Sequence, residues 1–228
     1  MKKIRFILLA LFLVSLANTA SAQITKSRTA GSPLKRFFVK TPWTIGISGH
    51  VVDDDGKPFK SLFAVPTTWN FLYFPCRLTI DGYYKAGFSF QGEFSYTQMK
   101  PGKDIQNTIL TKGGTFFSAD IHVKYDLNEL FGPTNWFDPF VAGGYGYTMR
   151  TVAPKPNTVT ANLGLGANFW IWENLGFHIQ TMAKFSMIEG TSNYLHHSVG
   201  VHYKLISGQG SRPGKLGKRY KFISHGRR

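Results

Sequence analysis

Between Trp43 and Leu205 apolar residues recur at every second position, and this alternation constrains the fold more than any other feature of the chain. A period of two puts successive side chains on opposite faces of an extended strand, whereas an amphipathic helix needs a period near 3.6. In 87–97 (GFSFQGEFSYT) Phe88, Phe90, Phe94 and Tyr96 share one face, and Ser89, Gln91, Glu93, Ser95 and Thr97 share the other. In 117–127 Phe117, Ala119, Ile121, Val123, Tyr125 and Leu127 alternate with Ser118, Asp120, His122, Lys124 and Asp126. The same pattern runs through 159–171, and through 177–187 where Thr181 and Met182 blur it. Weaker versions at 43–52, 74–84, 138–150 and 196–205 bring the expected strands to eight.

An even number of strands permits an up-and-down closed barrel with both chain ends on one side. Strands near ten residues match what a tilted strand needs to cross a bilayer. The connections 53–73, 100–114, 151–157 and 188–195 alternate with 85–86, 128–137 and 172–175. Outer-membrane barrels pair long external loops with short periplasmic turns in this way. The 128–137 connection (NELFGPTNWF) is longer than that rule prefers.

Alternation alone does not say which face points outward, since a soluble barrel would carry the same pattern inside out. The polar face is small and charged. It holds Gly46, Ser48, Gly144, Gly146, Gly164 and Gly166 beside Arg77, Asp81, Glu93, Asp120, His122, Lys124, His178, Lys184, His202 and Lys204. An eight-stranded barrel has room only for side chains inside, so this set suits the lumen. Its charges are expected to neutralise one another and its histidines to join a hydrogen-bond network. The apolar face is rich in rings, which suits lipid. Trp43, Tyr84, Phe88, Tyr125, Trp136, Phe140, Phe169, Trp172, Phe177 and Tyr203 are expected to form an aromatic girdle at one membrane interface. The expected fold is all-β, an eight-stranded antiparallel up-and-down transmembrane β-barrel over 43–205.

The net charge of +15 resides in the flanks, because 43–205 is balanced. Residues 1–22 read as a signal peptide: MKKIR is cationic, Phe6 to Ala17 is apolar, and Ala20-Ser21-Ala22 is a small-residue cleavage site. Residues 23–42 form a basic, acid-free N-terminal segment, expected in the periplasm. Residues 206–228 form a glycine-rich, acid-free tail on the same side, carrying Arg212, Lys215, Lys218, Arg219, Lys221, Arg227 and Arg228. Charge of this kind suits an acidic periplasmic or membrane protein partner, anionic headgroups or cell-wall carboxylates. Nucleic acid is not expected in that compartment.

The last strand carries Ser198, Gly200, Tyr203 and Leu205, an order of polar, glycine, aromatic and hydrophobic residues that resembles the terminal assembly signal of outer-membrane proteins. WFDPFVAGGYGYT (136–148) and NLGLGANFWIWENLGF (162–177) are similar to the aspartate-led and glycine-alternating strands of one family. On these segments 43–205 resembles the OmpA-type eight-stranded outer-membrane barrel in its Bacteroidota form. The resemblance implies contact with outer-membrane lipid, insertion by the barrel-assembly machinery and a Gram-negative host. Members often continue into a peptidoglycan-binding domain, for which 206–228 is too short, since a small domain needs on the order of a hundred residues.

Signs of catalysis are few. Cys76 is the single cysteine, which excludes an intramolecular disulfide and a thiolate zinc cluster. His196, His197 and Ser198 sit at a strand end, but adjacent strand residues face opposite sides and cannot readily share one metal. No catalytic residue, metal ligand or cofactor is expected. The leading functional expectation is a structural or scaffolding barrel whose basic arms dock a partner within a larger export, assembly or motility complex. Two alternatives stand beside it: a narrow small-solute pore, and a rim-located enzyme acting on lipid or peptide.

Overall fold

The computed structural model describes residues 41–54, 64–132, 134, 136–152, 157–172, 174–189, 191 and 193–205. The segments read as signal peptide and basic tail, and all but the last two residues of the basic N-terminal segment, lie outside the described residues. In chain order the elements are β1 (Trp43–Asp53), β2 (Trp69–Phe71), β3 (Arg77–Lys85), β4 (Phe88–Met99), β5 (Asp104–Ile105), β6 (Thr108–Ile109) and β7 (Gly114–Asp126). The helical turn α1 (Asn128–Phe131) follows, then β8 (Phe137–Arg150), β9 (Asn157–Trp170), β10 (Leu175–Ser186) and β11 (Tyr194–Leu205).

Eight of these strands form one closed antiparallel up-and-down barrel. The sheet runs β11-β10-β9-β8-β7-β4-β3-β1. It closes where β1 pairs with β11 from Trp43↔Leu205 to Asp53↔Leu195. Trp43 and Leu205, the first and last residues of the barrel, therefore lie at one rim, here called the base; the opposite rim is the mouth.

The side-chain period sorts the two faces. Outside, Ile121 is 71% exposed and Leu165 65%, while inside Arg77 is 1% exposed and Lys184 is fully covered. Burying cations while exposing aliphatic residues is the reverse of a water-soluble protein. Inward glycines make the crowding possible. Gly144 lies across from His122, Gly166 from Phe140 and Gly46 from His202. A Cβ on Gly46 would stand 2.2 Å from the His202 ring.

The strands differ from the sequence expectation mainly at their ends. The segment expected to pair from 74 onward enters the ladder at Arg77, because Pro75 has no N–H to donate. Cys76 bridges the wall above it: its N–H donates to Ser48 O (3.0 Å), and its carbonyl accepts from Tyr96 N (2.9 Å). The short strands β2, β5 and β6 were not anticipated. β2 pairs with β1 at Val51–Asp53, and β5 and β6 form a separate hairpin.

That hairpin belongs to a lid over the mouth. Ile105 and Leu110 turn inward onto Val52, Met99, Phe116 and Tyr194, forming an apolar layer. Asp104 N–H donates to Thr67 O (2.9 Å), Lys103 Nζ to Val65 O (3.0 Å), and Lys100 N–H to Asn70 Oδ1 (3.0 Å), which tie the lid to the 64–71 segment.

At the base, α1 accounts for the long 128–137 connection. Asn128 Nδ2 donates to Phe137 O (2.9 Å) and Asp138 Oδ1 (3.0 Å), fastening the turn to the start of β8. One member of the expected girdle is corrected. Phe140 is not on the outside; it is 1% exposed and faces the lumen. It shares the inward face of β8 with Asp138 and Ala142, and Gly166 opposite leaves room for its ring. The other nine rings of that set are exposed or half-buried toward the base.

Candidate functional site

The lumen holds the densest concentration of polar chemistry among the described residues. Nearest the base, Lys204 Nζ sits 3.2 Å from the centre of the Trp170 ring. Trp170 Nε1 donates to Asp138 Oδ2 at 2.5 Å. One rung up, Lys124 Nζ pairs with Asp81 Oδ2 at 2.5 Å and lies 4.0 Å over the Phe140 ring. Such a cation is held both by its carboxylate and by the negative face of the ring.

His178 and His202 stack at a centroid distance of 4.0 Å beside this pair. His178 bridges Asn168 Oδ1 (2.8 Å) and Gln180 Oε1 (3.1 Å), and His202 Nε2 meets Thr79 Oγ1 (3.2 Å). At mid-height the Arg77 guanidinium donates to Glu93 Oε2 (2.7 Å), Gln180 Oε1 (3.1 Å) and Ser48 Oγ (3.0 Å). Across the lumen Lys184 Nζ donates to Asp120 Oδ2 (2.6 Å) and Ser118 Oγ (3.2 Å). Asn162 Nδ2 reaches Asp120 Oδ1 (3.0 Å) and His122 Nε2 (3.1 Å), so that nitrogen of His122 is the acceptor.

All ten polar residues expected in the lumen are buried inside the barrel. The period of two found them because facing is a property of one strand. It did not yield their partners, nor His50, His196, Asp54 and Arg150, which occupy the mouth half of the same interior. His50 follows Gly46 and Ser48 on the inward face of β1, and His196 precedes Ser198, Gly200 and His202 on that of β11. Extending those series by two positions would have revealed both. Arg150 pairs with Asp54 at 2.8 Å, and its guanidinium lies 4.9 Å from the Tyr194 ring.

The segment read as an assembly signal divides between the faces. Ser198 points inward and donates to Gln180 O (3.4 Å), Gly200 lies inward against Ser48, and Tyr203 is exposed outside. The strand-end triplet divides as well. His196 is buried inside, whereas His197 faces outward beside Thr181 (3.1 Å) and Trp69 (ring centroids 5.5 Å apart). Among the described residues no group of three or more His, Cys, Asp and Glu could hold a metal ion.

This arrangement is a packed polar plug. Desolvating so many charges is costly, and the cost is offset only where each ion meets a close counter-ion and further hydrogen bonds. Arg77, Lys124 and Lys184 each have such a partner. The side chains that line the interior also occupy it.

No family model matches the chain, and no curated protein sequence does. Solved structures share the architecture. Neisserial surface protein A is 9% identical, with a TM-score of 0.46 over 72% of this chain and 96% of its own. Ail, the attachment invasion locus protein of Yersinia pestis, in complex with the heparin analogue sucrose octasulfate, is 13% identical, with a TM-score of 0.40 over 72% of this chain and 97% of its own. The outer membrane protein AlkL, in lipid bilayers, is 9% identical, with a TM-score of 0.45 over 78% of this chain and 93% of its own. Likenesses this distant carry no argument about function, and the fold stands on the strand pairing itself.

Proposed function

We propose that the chain is a structural outer-membrane barrel of a Gram-negative bacterium whose basic arms, at the base, dock an acidic partner in the periplasm. One observation carries the membrane part of this reading: buried ion pairs fill the inside while large aliphatic and aromatic side chains cover the outside. Lipid is the solvent that makes both choices favourable, since closed barrels are the strand architecture with no unsatisfied edge in hydrocarbon. The acid-free flanks leave the barrel at one rim, where charge attraction to an acidic protein would act and salt would weaken it. Membership of a larger export, assembly or motility complex fits a barrel with a filled lumen and charged arms.

The filled interior weighs against the pore, and the division of His196 and His197 between faces weighs against a rim enzyme built on that pair. Stripping detergent from the purified chain tests the membrane reading. Aggregation is expected, and a monodisperse protein in plain buffer would overturn it. Deleting 206–228 and repeating a pulldown from solubilised membranes tests the docking; association that survives the deletion removes that part.

A further inference from the structure

On the outside of the wall the apolar surface of β4 ends in charge just below the mouth. Its outward series runs through Phe88, Phe90, Phe94 and Tyr96, turns polar at Gln98 and reaches Lys100 one residue past the strand. At a rise of about 3.4 Å per residue, Lys100 lies roughly 14 Å along the strand direction from Tyr96. On β3, Leu78 is opposite Phe94 and exposed beside it. At the height of Lys100 the neighbour of β1 is β2, where Phe71 pairs with Val51 on the outward face. Tyr73 follows and is 88% exposed. Rings and long cationic side chains meet in this way where hydrocarbon gives way to headgroups.

The partners of the cations are neutral. Lys100 Nζ is 4.8 Å from the centre of the Phe71 ring and 5.3 Å from that of Tyr73, and the two rings meet edge-on at 5.4 Å. In the lid, Lys103 Nζ donates to Val65 O (3.0 Å) and Pro66 O (2.5 Å). An ammonium has three donors, so one remains on Lys103. Lys100 Nζ donates to no protein acceptor, and neither lysine has a carboxylate partner, among the described residues. The two charges act on each other: burial, and then the charge of Lys100, lower the Lys103 pKa. Like charges held near one another repel, and an anion beside both relieves that repulsion.

The anion that fits is a lipid-borne dianion. A phosphomonoester carries about −1.5 to −2 charge at pH 7, a match for two ammoniums. Lysine binds phosphate as a point charge and needs no fixed fork geometry. Exposed Leu78, Phe94 and Tyr96 offer a surface to acyl chains, and the open ring of Tyr73 offers one to a sugar.

We propose that Lys100 and Lys103, set against Phe71 and Tyr73, bind the phosphomonoester of a glycolipid in the outer leaflet, with its chains lying against Leu78, Phe94 and Tyr96. The inference rests on the outer-membrane reading above, with the mouth facing outward.

Lipid A and the same lipid stripped of its phosphates, each titrated onto the detergent-solubilised chain and counted by native mass spectrometry, test this. The phosphorylated form is expected to bind roughly tenfold more tightly, the scale of two partly exposed charge pairs. Lys100→Gln combined with Lys103→Gln is expected to erase that preference, so that both forms bind the double variant alike, as a direct contact requires. Lys112→Gln, at an exposed position between β6 and β7, is expected to keep it. The heat-dependent gel shift shows that each variant is folded. Equal binding of the two lipids to the unmodified chain overturns the proposal and needs no variant. So does a full preference in the folded double variant. Inorganic phosphate at the concentration of the lipid is expected to leave it bound; full displacement would overturn the lipid assignment in favour of a free anion. A chain that stays monodisperse without detergent would remove the membrane reading and this inference with it. A barrel that inserts into vesicles yet ignores the phosphates removes the inference alone.

Discussion

Gly146 on β8 faces Asp120 on β7 so closely that a Cβ on the glycine would lie 1.7 Å from Asp120 Oδ1. That oxygen also accepts from Asn162, and the other oxygen of the carboxylate holds Lys184. The glycine is therefore the empty space that a buried salt bridge occupies.

Gly146→Ala is expected to push Asp120 off Lys184. Disrupting a buried pair so that one charge loses its partner typically costs about 3–5 kcal/mol. The change should appear as a lower urea midpoint for unfolding from lipid, read by the heat-dependent gel shift of the folded barrel. Gly102 in the lid has nothing within 4 Å of its would-be Cβ, but its φ of +81° strains any side chain, so it is not a neutral control. Gly143 on the outside, where the nearest atom is 3.7 Å away, is the better one.

The Asp81–Lys124 pair should behave as a unit. Lys124→Met alone leaves the Asp81 carboxylate short of its cation and is expected to cost about 3–5 kcal/mol. Adding Asp81→Leu should recover much of that loss, because well-packed apolar replacements of a buried pair are often close to neutral. A double-mutant cycle on unfolding free energies measures the coupling, and simple additivity would contradict it.

Leu165 distinguishes lipid from water at the outer surface. It is 65% exposed in the body of β9. Leu165→Lys would change stability by less than about 0.5 kcal/mol on a protein surface in water. Against hydrocarbon near the bilayer midplane it is expected to cost about 2–4 kcal/mol. Unfolding titrations from vesicles give the answer directly.

In planar bilayers at neutral pH the unmodified chain is expected to give no stable single-channel steps, because Arg77, held by Glu93 on the neighbouring strand, reaches Gln180 across the lumen and Lys184 reaches Asp120. Truncating Arg77 and Glu93 together to alanine should open a measurable leak. Large regular steps from the unmodified protein would restore the pore reading.

Reading the alternation was enough to obtain eight strands, their faces and the polar character of the interior. The orientation of a side chain on a strand is local: Ser89, Gln91 and Glu93 share a face because the pleat repeats every two residues, whatever the rest of the chain does. Partners are not local. Lys124 finds Asp81 across 43 residues of sequence, and Lys184 finds Asp120 across 64, through the stagger of strands around a closed barrel. No pattern within one strand encodes that stagger.

The same distinction explains the errors. Phe140 reads as a girdle ring by its chemistry, yet its place in the β8 repeat and the gap above Gly166 put it inside. The β5–β6 hairpin is too short to show a period, so the lid emerged only once Ile105 and Leu110 had an apolar layer to cover. His50 and His196 lie 146 residues apart and become a pair only because β1 closes on β11. Periodicity along the backbone decides which way a side chain points, and closure of the sheet decides what it meets.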